Sequence, residues 1–166
     1  ADVPAEPALV YRLNARSRQR CGTWEVDIRQ TPAPIAPPGE RPFILTRASF
    51  AGGQRYSAAW TGDNVASWEH LRMALSMCLN LSISGQPFVG SDIGGFIGYP
   101  SGELFARWLQ LGVFTPLMRA HSVVNERNKE PWEYGEALTS INRETINLRY
   151  RLLPFVYTVM AEASNQ

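Results

Sequence analysis

The sequence reads as an α/β fold built on a parallel sheet, and three observations predict it. Short apolar runs of strand length recur at 42–46, 56–60, 87–91 and 114–118. Stretches with apolar residues at helical spacing follow the last three of them. A polar side chain capable of chemistry stands just past each run, at Arg47, Asp63, Asp92 and His121. Strand, loop and helix in repetition, with polar residues after the strand, is the pattern of parallel α/β proteins.

The elements follow in order. Residues 1–41 show no apolar periodicity, and Arg12, Arg16, Arg18 and Arg20 make a basic stretch that reads as a solvated segment. Trp24 to Ile28 alternates loosely, as a strand would. Thr31-Pro32-Ala33-Pro34 and Pro37-Pro38-Gly39 remove backbone donors and fix φ, which predicts an extended linker. Pro42 to Thr46 is continuously apolar until its last residue, as suits a strand covered on both faces. Ala51 to Gln54 is a loop, and Tyr56 to Trp60 is the second strand. No clear helix joins these two.

Ser67 is a good N-cap, and Glu69 puts a negative charge in the first turn, where it complements the helix dipole. Trp68, Leu71, Leu75, Cys78 and Leu79 then predict a core-facing stripe. Pro87 to Ser91 is the third strand, with Asp92 to Phe96 as its exit loop. A second helix starts at Ser101-Gly102-Glu103 and carries Leu104, Phe105, Trp108, Leu109 and Leu111. Phe114 to Met118 is the fourth strand, followed by a polar loop from Asn125 to Glu136. The last helix has Ile141, Thr145, Leu148, Leu152 and Phe155 on one face, with a kink expected at Pro154.

Composition narrows the partners. With 166 residues the chain can bury one core, and its 16 basic and 15 acidic residues give no pull toward nucleic acid or an anionic membrane. No run approaches the ~18–20 apolar residues of a membrane span, and no signal-peptide pattern opens the chain. The first residue is Ala, so the sequence leaves its cellular address open. Cys21 and Cys78 read as buried thiols rather than a disulfide framework. The two histidines, His70 and His121, stand far apart, and His70 lies early in a helix where exposure is expected, so no metal site or cofactor is indicated. A Ser-His-Asp hydrolase lacks its Gly-x-Ser-x-Gly elbow.

Taken singly, the polar residues have plain readings. Asp63 can cap a helix or hold a turn, Asp92 can be a turn aspartate, and His121 can be structural. Trp60 and Phe96 can be core residues. Together they suit a sugar: carboxylates and imidazole bond hydroxyls, arginine orients a carboxylate, and aromatic faces cover the C–H face of a pyranose. On that convergence Asp63 is the candidate proton donor.

Several stretches carry a family resemblance. They are Arg-Pro-Phe-Ile-Leu-Thr-Arg (41–47), Gln-Arg-Tyr (54–56), Trp-Thr-Gly-Asp-Asn (60–64) and Trp-Glu-His-Leu (68–71). Ser-Gly-Gln-Pro-Phe-Val-Gly-Ser-Asp-Ile-Gly-Gly-Phe (84–96), Phe-Ala-Arg-Trp-Leu-Gln-Leu-Gly (105–112) and Arg-Tyr-Arg-Leu-Leu-Pro (149–154) continue the match. Residues 42–160 thereby resemble glycoside hydrolase family 31, a family of retaining α-glucosidases. The resemblance implies a (β/α)8 TIM barrel, with residues 42–166 as about its last four β/α units. It implies that Asp63 is the general acid/base and that Arg47 contacts the non-reducing sugar. It implies too that Asp92 and His121 bond that sugar's hydroxyls, and that Trp60 and Phe96 wall the pocket. The partner implied is an α-linked oligosaccharide or glucoside. α-Xylosidase and transglycosylase activities share this machinery, and a non-catalytic sugar-binding remnant is a further alternative.

The family's nucleophile belongs to a Trp-x-Asp-Met-Asn-Glu-Pro motif, which is absent in intact form. Asp2 in Asp2-Val3-Pro4-Ala5-Glu6-Pro7 is a faint counterpart, and residues 8–40 lack the histidine-containing helix that should follow. The expectation is a fragment whose residues 1–41 are divergent or damaged and whose missing partner is the N-terminal half of the barrel. Four strands cannot close a barrel that takes ~250 residues. Open edges then predict self-association or instability, and little or no activity.

Overall fold

The computed structural model describes residues 17–20, 23–26 and 43–164. The chain divides into two units, Ala1–Phe43 and Ile44–Gln166. In the first unit, β1 (Ser17–Arg20) pairs antiparallel with β2 (Thr23–Val26), with Ser17 opposite Val26 and Arg20 opposite Thr23. Arg18 and Arg20 therefore belong to a strand, although the sequence there lacks the alternation that would announce one. The proline-rich segment and Asp2 lie outside the described residues.

The second unit repeats the βα pattern. Strand β3 (Leu45–Thr46) pairs in parallel with β4 (Ala58–Trp60), and β4 pairs in parallel with β5 (Val89–Gly90). Strand β6 (Asp92–Ile93) pairs in parallel with β7 (Arg119–Ala120). Helix α1 (Trp68–Ile83) connects β4 to β5, α2 (Gly102–Gly112) connects β6 to β7, and α3 (Glu136–Ser164) follows β7. Ser67 and Ser101 cap α1 and α2, their hydroxyls accepting from the His70 and Leu104 amides. The connection from β3 to β4 holds a 3-10 turn at Gly53–Arg55, and the Tyr56 amide bonds back to Gly53, so β4 begins at Ala58.

The third predicted strand is split and lies two residues later than expected. Val89–Gly90 faces β4 while Asp92–Ile93 faces β7, and between them the Ser91 hydroxyl accepts from the Trp108 indole at 2.8 Å. Asp92 is thus on a strand, not in an exit loop. The fourth strand begins later than expected. Pro116 has no amide to donate, and the carbonyls of Val113, Thr115 and Pro116 are taken by Arg149 at 2.8 Å each. Pairing with the third strand starts only at Leu117, whose amide reaches the Val89 carbonyl. At Gly90 an added Cβ would lie 1.9 Å from the Leu117 carbonyl oxygen, so only glycine admits that approach.

Packing corrects two helix faces. In α1 the inward line runs through Leu71, Ala74, Cys78 and Leu81, while Trp68, Leu75 and Leu79 of the predicted stripe are exposed. In α3 the buried positions are Asn142 and Thr145, with Ile146 packed on the core, whereas Ile141, Leu148 and Phe155 are exposed. Both helices carry apolar residues on more than one face, so periodicity alone does not choose the face the described core covers. Helix α3 runs through Pro154, which has no amide to offer the Tyr150 carbonyl. The larger core joins Ala74, Ile93, Leu104, Phe105, Trp108 and Leu109. A smaller one joins Ala59, Cys78 and Val89, and burial pushes the Cys78 thiol up to about 11.

Candidate active site at the strand C-terminal ends

Parallel pairing brings the carboxyl ends of the strands to one edge, where loops are free to carry function. Arg47 leaves the end of β3, and Trp60 is the last residue of β4. Asp92 stands on β6 opposite Arg119 on β7, and His121 comes directly after β7.

Asp63 occupies the tip of a tight turn. Gly62, at φ +88°, bends the chain, and the Asn64 amide donates to the Gly62 carbonyl. The Thr61 hydroxyl and the buried Asn64 side chain bond each other at 2.5 Å. Arg47 passes over Gly62 and donates to the Asp63 carboxylate at 2.7 Å. Both partners are well exposed, so this ion pair contributes only about 0–1 kcal/mol to stability.

Asp92 has the opposite setting. It is 0% exposed, and one carboxylate oxygen accepts from the Arg119 guanidinium at 2.7 Å. Burial pushes its carboxyl above the ordinary value; Arg119, through its hydrogen bond and its charge, and then His121 pull it down, and Asp63 pushes it up. Asp92 therefore senses both Asp63 and His121. The Arg119 guanidinium also lies 5.2 Å from the centre of the Trp60 ring, a cation–π distance. Phe96 and His121 face each other with ring centres 5.0 Å apart.

Three buried polar atoms of this cluster have no protein partner: Asp92 Oδ2, Arg119 Nε and Trp60 Nε1. Buried polar groups are nearly always bonded, so this acceptor and these two donors stand open to a polar partner, water or ligand. The structure thus joins Arg47 to Asp63, and Phe96 to His121. It joins Trp60 to Asp92 only through Arg119, a residue the sequence reading passed over. Arg119 also follows the apolar run, two residues before His121, but nothing in the sequence shows that it reaches Asp92. His70 differs from expectation: it is half-buried, and its Nδ1 accepts from the Val65 amide at 3.1 Å. Among the described residues, no three His, Cys, Asp or Glu side chains gather closely enough to hold a metal ion. A groove of about 430 Å³ lies among α2, β7 and α3, lined by Ile93, Phe105, Ile146 and Arg149, and none of the predicted site residues lines it.

The family model for the TIM-barrel domain of glycosyl hydrolases family 31 matches residues 14–159. The chain belongs to glycosyl hydrolase family 31. Its described α/β units are accordingly part of a TIM-barrel domain. Alpha-glucosidase 2 of Bacillus thermoamyloliquefaciens is 54% identical over 125 residues, which are 75% of this chain and 16% of that protein. Neutral alpha-glucosidase C of Homo sapiens is 51% identical over 124 residues, or 75% of this chain and 14% of the relative. The crystal structure of a glucosidase II alpha subunit in its alpha3-Glc2-bound form superposes with a TM-score of 0.74 at 47% identity. That superposition covers 78% of this family 31 chain and 14% of the solved one. The chain spans about one-sixth or less of the length of these relatives.

Proposed function

We propose that residues 42–166 form the C-terminal half of the catalytic barrel of a retaining α-glucosidase, in which Asp63 is the general acid/base. The observation that carries this reading is the fully buried Asp92 with an unpartnered carboxylate oxygen on the same rim as Asp63. Relatives named α-glucosidases at about half identity support the substrate class.

Asp92 Oδ2 accepts from hydroxyls of the terminal sugar, and His121 shares that role. Arg119 fixes Asp92 and offsets part of the desolvation of its charge. Trp60 and Phe96 cover the C–H face of the ring. A carboxylate from another part of the barrel attacks the anomeric carbon, the glycosidic C–O bond breaks, and the Asp63 proton goes to the departing oxygen. Water then attacks the glycosyl-enzyme, Asp63 takes its proton, and the first carboxylate leaves. Retention requires the two carboxyl groups ~5–5.5 Å apart. Arg47 stabilises Asp63 while it is ionised between the two steps. The N-terminal barrel half completes the site, and the 166-residue chain alone turns over no substrate.

The test is hydrolysis of an aryl α-glucoside by the complete barrel. Asp63→Asn should lose about 10²–10⁴ in turnover, the contribution of positioned proton transfer, while sugar affinity holds. A sugar-binding remnant would instead show unchanged affinity and no turnover in either form.

A further inference from the structure

Lys129 lies in the loop between β7 and α3 and has no part in the scheme above. It is 5% exposed, and its ammonium donates to the Gly95 carbonyl at 2.7 Å. Among the described residues it makes no ion pair. A buried cation with no counter-ion in contact carries a desolvation cost. Burial lowers the proton affinity of Lys129, while the charges of Glu126 and Asp92 raise it.

What it grips is the junction of the loops that carry the site. Gly95 has φ +81°, and a Cβ there would lie 2.6 Å from the Ala66 nitrogen, so this backbone presses directly on the segment after Asp63. The amides of Phe96 and Ile97 donate to the Asn64 carbonyl at 2.6 and 3.1 Å, and the Ala66 amide returns a bond to the Ile97 carbonyl. On the other side, the Val123 amide donates to the Phe96 carbonyl, and Glu126 accepts from the Gly98 amide. The loops of Asp63, Phe96 and His121 are therefore one hydrogen-bonded unit, and Lys129 is the buried charge that fixes its middle strand of backbone.

We propose that Lys129 is a positioning residue for the acid: by holding the Gly95 carbonyl it sets where Asp63 and Phe96 stand over the sugar. The proposal rests on the reading of Asp63 as acid. It implies a leaving-group signature in the first step, because formation of the glycosyl-enzyme draws on the acid only where the departing oxygen needs a proton. In the complete barrel, Lys129→Met should slow hydrolysis of an alkyl α-glucoside about tenfold or more, within the 10²–10⁴ available to positioned proton transfer. The kcat/KM of α-glucosyl fluoride, which reports the first step and whose leaving group needs little protonation, should stay near wild type. Lys129→Arg, which keeps a charged donor, should recover most of the loss.

Equal loss on both substrates, or loss on neither, overturns the proposal. Should Lys129→Met fail to fold, Lys129→Gln and Lys129→Arg carry the same comparison. If Asp63→Asn hydrolyses like wild type, the acid assignment itself has failed. Deoxynojirimycin affinity then decides for Lys129: weaker binding in Lys129→Met keeps its positioning role, and equal binding removes it.

Discussion

Asp92 and Asp63 stand in opposite surroundings, and under the proposed function those surroundings give the two carboxylates different tasks. Asp63 sits on an exposed turn, paired with Arg47, whereas Asp92 is buried with its charge held by Arg119. Because burial raises the folded-state pKa of Asp92, the native state binds its proton at higher pH than the unfolded chain does. Stability therefore falls as pH rises from the ordinary carboxylate value through the raised one. Asp92→Asn removes that titration. In thermal melts of the complete barrel, the mutant's midpoint should rise relative to wild type across that window and the difference should flatten on either side. A difference independent of pH would contradict the assignment. The same mutant should bind sugar more weakly, since Oδ2 is the open acceptor. Residue types past the apolar runs single out Arg47, Asp63, Asp92 and His121 as candidates in the sequence. Arg119 could not be assigned that way, because its value lies in reaching Asp92 on one strand and Trp60 on another.

At the scale of elements, the helix starts were legible because a serine hydroxyl on the N3 amide is a local device, as at Ser67 and Ser101. Strand limits were not. The fourth strand is displaced from 114–118 to Arg119–Ala120: a side chain on α3, Arg149, takes the Thr115 and Pro116 carbonyls that a ladder would have used, along with the Val113 carbonyl at the end of α2. Long-range capture of this kind leaves no mark within the strand itself. Arg149→Met would strand those carbonyls. With charged hydrogen bonds worth roughly 1.5–3 kcal/mol each and not additive, a loss of about 2–4 kcal/mol is expected. It would be read as a lower denaturant midpoint for the complete barrel with the circular dichroism of the native state unchanged. An unaltered midpoint would show that solvent satisfies the carbonyls equally well. Of the β1–β2 hairpin the sequence shows only the second strand, read at Trp24–Ile28 and found at Thr23–Val26; β1 has no alternation of its own and is defined by its pairing partner.

For the molecule as a whole, the described parallel strands do not close a barrel, and the apolar side chains around them show it. Ile83 is 84% exposed and Tyr157 78%, along with Trp68, Leu79, Tyr150 and Phe155. Faces of this kind need covering, because large exposed apolar patches drive association. The 166-residue chain expressed by itself should therefore elute above monomer size on gel filtration and melt without a sharp transition. A cooperative monomer would contradict the half-barrel account. The central claim, that Asp63 exchanges a proton with the oxygen leaving and the water entering at one sugar, has a more direct test. Asp63→Ala in the complete barrel should turn over an activated aryl α-glucoside slowly, stalled at the glycosyl-enzyme. Azide, which attacks without needing a base, should restore the rate and release α-glucosyl azide with its configuration retained. Wild-type turnover in Asp63→Ala without azide, or a glycosyl azide of inverted configuration, would contradict the account.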